Sequence, residues 1–263
     1  MPELPEVETT RRGIEPHVIG QKVASTVVRE RRLRWPIPVG FEKELAGRTI
    51  TATRRRAKYL LIDFDTGCLL IHLGMSGSLR MVAPEEQPRK HDHVDIGFDN
   101  GLVLRYHDPR RFGSMHWFSG GSHALLDHLG PEPLSDAFDG EYLHQQARKR
   151  GSAIKLFIMD AKVVVGVGNI YANEALFMAG IRPDRPANRV GKARYDALAV
   201  AIKDVLATAI DVGGTTLRDF VGGDGKAGYF ARRRQVSRRG GELCYGCKTN
   251  RLRANGQSNR GGV

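Results

Sequence analysis

Apolar and polar residues alternate along this chain in two rhythms, and the change between them divides it. Residues 5–18 read as one helix, with Pro5 near its first turn and Glu6 and Glu8 toward the positive end of its dipole. Short strand-like runs follow at 22–30, 49–55, 59–65, 68–73, 94–99 and 102–107, rich in branched and aromatic residues. Asp65-Thr66-Gly67 and Asp99-Asn100-Gly101 supply hairpin turn signals between them. The spacing predicts a β-rich domain over 2–118, a sandwich of two sheets behind the N-terminal helix. Residues 123–130 predict a short helix inside a turn-rich hinge over 119–140. Residues 141–228 predict a helical domain whose last helix covers 195–210, and 229–263 a glycine- and arginine-rich loop and hairpin. The fold class expected is therefore α+β in two domains.

Composition narrows the function. Lys and Arg number 41 against 29 Asp and Glu, a formal charge of +12, which creates an attractive field for a polyanion. Nucleic acid is the usual polyanion, although charge alone fits a membrane-surface protein as well. No run approaches the ~18 apolar residues of a membrane span, and no basic segment with an apolar run opens the chain. Three cysteines cannot build a disulfide framework, which agrees with a reducing cytoplasm.

The most distinctive chemistry lies at the start, Met1-Pro2-Glu3-Leu4-Pro5-Glu6. A small second residue favours removal of Met1, which leaves Pro2 with a free secondary amine. With a reference pKa near 8, about 10 % of such an amine is unprotonated at neutral pH, against under roughly 0.1 % for a lysine. A free amine attacks carbonyl-like carbon and forms Schiff bases, and Glu3 places an acid beside it. Two prolines stiffening a helix entry would look the same from spacing alone.

The opening PELPEVETTRRG resembles the formamidopyrimidine-DNA glycosylase family, and further blocks carry the likeness in order: RRAKYLL (55–61), HLGMSGSL (72–79), KHDHVD (90–95), DPRRFG (108–113), VVVGVGNIYANEAL (163–176) and GGTTLRDF (213–220). The resemblance implies that Pro2 attacks C1′ of the damaged nucleotide while Glu3 protonates the sugar ring oxygen, and that Lys58 assists as a charged proton donor. The iminium so formed is an electron sink, and β,δ-elimination would leave a one-nucleotide gap. Met75, Arg110 and Phe112 match the side chains with which the family refills the stack behind an extruded base. His91 would contact phosphate. Asn169 and Lys155 belong to the helix-two-turn-helix element that grips the backbone, with Arg150 beside Gly151 standing in for a phosphate-binding Lys. Thr215, Thr216 and Arg218, with Tyr229, fall in the segment that reads the lesion.

The C-terminus departs from the pattern. Zinc-finger members carry two Cys-x2-Cys pairs about sixteen residues apart, and four thiolates close a tetrahedral site. Here Cys244 and Cys247 supply one pair, and the sequence ends sixteen residues beyond Cys247. One zinc ion is expected of the family, and none is expected on this chain. The family's hairpin arginine for the elimination step faces Asn259 here, with Arg260 one place on, and Val-Tyr-Gly-Arg reads Val236-Ser237-Arg238-Arg239. The resemblance as a whole implies a monomeric, cytoplasmic glycosylase and abasic-site lyase acting on oxidised purines in duplex DNA. Its rivals are an endonuclease VIII-type glycosylase for oxidised pyrimidines, which Leu4 and the complete Met75, Arg110 and Phe112 set disfavour, and a lesion-binding protein without catalysis.

Overall fold

A computed structural model describes residues 2–214, 235–237, 239 and 241–243. They form two compact units, the first built on residues 1–127 and the second on 128–211, with 212–214 counted in the first and 235–243 in the second.

The first unit runs α1 (Leu4–Val18), β1 (Val23–Val28), α2 (Phe41–Leu45), β2 (Ile50–Arg56), β3 (Tyr59–Phe64), β4 (Cys68–His72), β5 (Ser78–Val82), β6 (Asp92–Phe98), β7 (Val103–His107) and β8 (Ser114–Phe118). The strands make two four-stranded antiparallel sheets, ordered β1-β6-β7-β5 and β2-β3-β4-β8. Alternate side chains from both sheets meet in one core that includes Leu60, Ile62, Leu69, Ile71, Val94, Ile96, Leu104 and Tyr106. Val7, Ile14 and Val18 of α1 join the same core, so the helix is held by its buried stripe rather than by propensity. The predicted sandwich and its hairpin turns at 65–67 and 99–101 are therefore present.

Three elements differ from the pattern reading. Strands β5 and β8 were not expected. Each is five residues long and finds its partner across the chain, β5 on β7 and β8 on β4, so pairing rather than a local apolar run makes them strands. The short α2 was likewise not expected. The helix predicted over 123–130 is absent, and turns occupy 124–128. Leu125 and Leu126 pack instead beside Leu61, Cys68, Leu70 and Phe118 on the outer face of the second sheet. Burying those leucines is worth more than the few hydrogen bonds of a two-turn helix.

The second unit is helical: α3 (Gly140–Ala147), α4 (Ile154–Met159), α5 (Asn169–Met178) and α6 (Lys192–Asp211), with a 3-10 turn at Ala187–Arg189. The Asp139 side chain caps α3 through the Tyr142 N–H. Helices α3 and α5 both pack on α6, whose Tyr195, Leu198, Ile202, Leu206 and Ala209 are buried. Among the described residues no helix is long and apolar enough to cross a membrane.

Candidate active site and nucleic-acid interface

Helix α1 begins with the residues that carry the proposed chemistry. Pro2 is buried and Glu3 is 1 % exposed, at the N-cap of the helix. The Glu6 carboxylate reaches back to accept the Glu3 N–H at 2.8 Å, which fixes the backbone beside Pro2. The described start of the glycine-rich segment lies against the same turn, since a Cβ added to Gly214 would stand 3.4 Å from Glu6 Oε1.

Lys58 occupies the two-residue turn of the β2–β3 hairpin with Ala57. Ala57 has φ 56°, a left-handed backbone that a residue with a side chain adopts only when its surroundings hold it there. Arg55 supplies that hold. Its Nη1 donates to the Ala57 carbonyl at 3.1 Å, and its Nε stands 3.3 Å from the Glu8 carboxylate on α1. Burial works against the Glu8 charge, but hydrogen bonds from Arg11 and Arg12 and the field of Arg55 outweigh it and hold the carboxyl below its usual 4.5. The turn that presents Lys58 is thus tied to the helix that carries Pro2 and Glu3.

His72, at the end of β4, has no role in the sequence reading. Its ring lies 4.9 Å from that of Tyr59, and its Nδ1 accepts the Gly74 N–H at 3.0 Å. Burial, followed by the positive fields of Lys58 and Arg34, pushes its pKa down to about 4. The imidazole is neutral at physiological pH and buttresses the turn that follows.

That turn carries Met75, 38 % exposed at its tip, while Phe112 is 44 % exposed between β7 and β8. The Arg110 guanidinium lies 4.8 Å from the Phe112 ring centre, a cation–π stack that keeps both groups together. Met75 and Phe112 thus leave large apolar side chains in solvent on two neighbouring turns. The turns touch backbone to backbone: a Cβ at Gly74 would come within 2.4 Å of the Phe112 carbonyl carbon, so only glycine fits. Asp108, fully buried, joins them. Its Oδ1 accepts from Ser76 Oγ at 2.8 Å and from the Arg110 N–H at 3.3 Å. Its Oδ2 accepts from the Gly113 N–H at 2.9 Å and the Tyr106 hydroxyl at 3.1 Å.

His91 belongs to the same cluster. Its carbonyl accepts the Asp108 N–H at 3.0 Å, and His93 Nε2 bonds the Asp108 carbonyl at 2.8 Å. His91 itself has φ 74°, and desolvation and then the Lys90 charge move its pKa below the ordinary 6.5. The structure therefore brings the segments of Met75, His91, Arg110 and Phe112 together around one residue, Asp108, which the sequence reading passed over inside the DPRRFG block. Its carboxylate holds the first and the last two, and its main chain holds the second.

In the helical unit Asn169 is the first residue of α5 and Gly168 its N-cap. Lys155 is the second residue of α4 and is 4 % exposed. Arg150 is half exposed, 3.9 Å from the Asp160 carboxylate. Glu174, 2 % exposed on α5, was also missed by the sequence reading. It accepts the N–H groups of Gln235 at 2.7 Å, Val236 at 3.2 Å and Ser237 at 2.8 Å. Thr215, Thr216, Arg218, Tyr229, Cys244, Cys247 and Arg260 lie outside the described residues. Among the described residues no group of three His, Cys, Asp or Glu side chains could hold a metal.

Comparison with known proteins agrees with this geometry. Residues 1–115 match the formamidopyrimidine-DNA glycosylase N-terminal domain, and residues 129–221 match the H2TH domain of the same glycosylases. Formamidopyrimidine-DNA glycosylase of Pseudomonas entomophila is 60 % identical over 250 residues, covering 95 % of this chain and 93 % of the relative. That of Stutzerimonas stutzeri is 59 % identical over 248 residues, covering 94 % and 92 %. Among solved structures, Lactococcus lactis Fpg in complex with N7-benzyl-Fapy-dG DNA superposes with a TM-score of 0.90 at 33 % identity, over 99 % of this chain and 97 % of that one. The same protein bound to DNA containing an abasic site gives 0.89 at 33 % identity, over 97 % and 96 %.

Proposed function

The chain belongs to the formamidopyrimidine-DNA glycosylase family, the glycosylases and abasic-site lyases of base excision repair, and we propose that it excises 8-oxoguanine and formamidopyrimidines from duplex DNA with Pro2 as the nucleophile. The observation that carries the residue assignment is the burial of Pro2 and Glu3 together at the head of α1, with the Lys58 turn fastened to that helix through Arg55 and Glu8.

With Met1 removed, the Pro2 nitrogen lone pair attacks C1′ as the bond to the damaged base breaks; the bond's electrons leave with the base, which takes up a proton, and the Pro2 nitrogen releases its own proton. Glu3 delivers a proton to the sugar ring oxygen, the ring opens, and an iminium joins Pro2 to the sugar. Loss of a proton from C2′ expels the 3′ phosphate, and loss of a proton from C4′ in the unsaturated iminium then expels the 5′ phosphate. Water then hydrolyses the iminium and frees Pro2. Lys58 donates protons and steadies the charge at the reacting nucleotide. Met75, Arg110 and Phe112 refill the stack left by the extruded base, which otherwise costs a few kcal/mol. His91, Arg150, Lys155 and Asn169 hold phosphates, while Thr215, Thr216, Arg218 and Tyr229 read the lesion; the family's elimination arginine is replaced at its own position by Asn259, with Arg260 one place on. Monomeric action in the cytoplasm fits this role.

Cys244 and Cys247 would supply two of the four thiolates that a closed structural zinc site takes.

Borohydride trapping tests the mechanism. The native chain should become covalently bound to 8-oxoguanine duplex, and a chain with a residue retained ahead of Pro2 should not, because an amide nitrogen has no available lone pair. Full base release by the blocked chain would refute Pro2 as nucleophile. A lesion-binding protein without catalysis would give no adduct in either form, and a faster reaction on oxidised pyrimidines would favour the endonuclease VIII-type reading.

A further inference from the structure

We propose that Asp108 is the positioning residue that makes the stack-filling side chains a single rigid wedge, so that base extrusion depends on it before chemistry begins. The proposal rests on the reading of Met75, Arg110 and Phe112 as groups that enter the duplex.

Each of those side chains sits on a turn whose position is not set by its own strands alone. Ser76 adjoins Met75, and its hydroxyl donates to Asp108 Oδ1 at 2.8 Å. The Arg110 N–H shares that oxygen at 3.3 Å. Gly113 adjoins Phe112, and its N–H donates to Oδ2 at 2.9 Å, an oxygen that also accepts from Tyr106. Oδ1 therefore ties the Met75 turn to the turn that carries Arg110 and Phe112, and Oδ2 fixes the far end of that second turn. The Asp108 main chain holds the His91 segment from both of its polar atoms, through its N–H to the His91 carbonyl and its carbonyl to His93. Three segments far apart in sequence converge on one fully buried residue. Hydrogen bonds to a buried carboxylate are among the stronger ones, and an unmet donor inside the fold is costly. The wedge is also strained at Arg111, with φ 55°, and a strained turn keeps its shape only while its surroundings determine it.

Asparagine is the informative replacement. It has the same shape but one acceptor oxygen, so its amide group must face either the Ser76 and Arg110 donors or the Gly113 and Tyr106 donors. Whichever way the amide turns, backbone donors lose a carboxylate acceptor: toward Gly113 an N–H meets an N–H, and toward Ser76 the hydroxyl must turn to accept, leaving the Arg110 N–H only its 3.3 Å contact with Ser76 Oγ.

The test uses the full chain at saturating concentration on an 8-oxoguanine duplex with 2-aminopurine next to the lesion, whose fluorescence rise reports extrusion. A general loss of stability lowers the amplitude by removing folded molecules, but leaves the first-order rate of the remainder unchanged. Phe112→Ala should slow the rise, which tests the wedge itself. Asp108→Asn should slow it about tenfold, as loss of one charge-assisted hydrogen bond implies. The double variant should be no slower than the slower single one. Ser76→Ala keeps the carboxylate and the fold and should slow the rise about threefold, so it carries the test if Asp108→Asn does not fold. Native extrusion by Asp108→Asn, or by Ser76→Ala in its place, overturns the proposal, and so does full additivity with Phe112→Ala. Native extrusion by Phe112→Ala would instead remove the wedge reading on which the proposal stands.

Discussion

Asp108 in the β unit and Glu174 in the helical unit are both buried carboxylates that accept from backbone N–H groups, yet they hold different things. Asp108 divides its oxygens between two turns, and each turn is already anchored at both ends by strands, β4 and β5 for one, β7 and β8 for the other. Glu174 gives both oxygens to three consecutive residues, 235–237, which belong to neither helix nor strand. The first carboxylate sets the relative position of segments that would exist without it. The second stands in for the hydrogen bonds that a helix or sheet would have supplied. Loss of the first should therefore appear in rates, and loss of the second in local stability.

The largest effect expected from that contrast is for Glu174→Ala. Three N–H groups lose a charged acceptor together, a cost of about 3 kcal/mol or more, and hydrogen-exchange protection at 235–237 should fall by about a hundredfold or more. Asp108→Asn should leave the exchange of the β-sheet amides unchanged. Equal loss of exchange protection in both variants, each in its own unit, would remove the distinction.

Acid probes the β unit from the other side of the wedge. His72 is neutral in the folded chain, with its pKa pushed from 6.5 down to about 4. Between those values the unfolded chain binds a proton that folded His72 refuses. Its contribution is thus whole above pH 6.5 and is lost as pH falls toward 4, up to about 3 kcal/mol. Because the same Nδ1 accepts the Gly74 N–H, protonation loosens the Met75 turn as well. His72→Asn should flatten the acid limb of a chemical-denaturation profile, and an unchanged limb would show that His72 is not the group responsible.

A smaller change is expected where a carboxylate ties side chains rather than backbone. Glu8→Gln weakens the links to Arg11, Arg12 and Arg55 and should cost about 1 kcal/mol. The loss should shrink as pH falls below the ordinary carboxyl range, since the depressed Glu8 pKa confers stability only while the group is ionised. The larger consequence should be slower borohydride capture, through a looser Lys58 turn, and a native capture rate would discount the Arg55 tie. In the helical unit the smallest effect is that of Lys155→Ala, which should lower the magnitude of the salt dependence of duplex binding by about 0.9 in log–log slope without altering lesion preference. An unaltered slope would take Lys155 out of the phosphate-binding set.

Much of this was legible beforehand where local chemistry decides. Helix α1 was placed at 5–18 and found at 4–18, because a proline-rich entry and an apolar stripe are read within one segment. Hairpins with Asp-Thr-Gly and Asp-Asn-Gly turns fell where expected for the same reason. Strands β5 and β8 escaped because their partners lie elsewhere in the chain, and 123–130 misled because a Leu-rich run suits a sheet's outer face as well as a helix.

The sequence by itself determined the succession of a proline and an acid at positions 2 and 3, the basic charge and the order of blocks that identifies the family, since each is written in contiguous residues. Only the tertiary structure decided that Asp108 gathers the Met75, His91 and Phe112 segments, that His72 is held neutral, and that Glu174 secures residues 235–237. Those facts depend on which distant donors surround a buried acceptor. Hydrophobic periodicity records which way a side chain faces, but not which segment it will meet there.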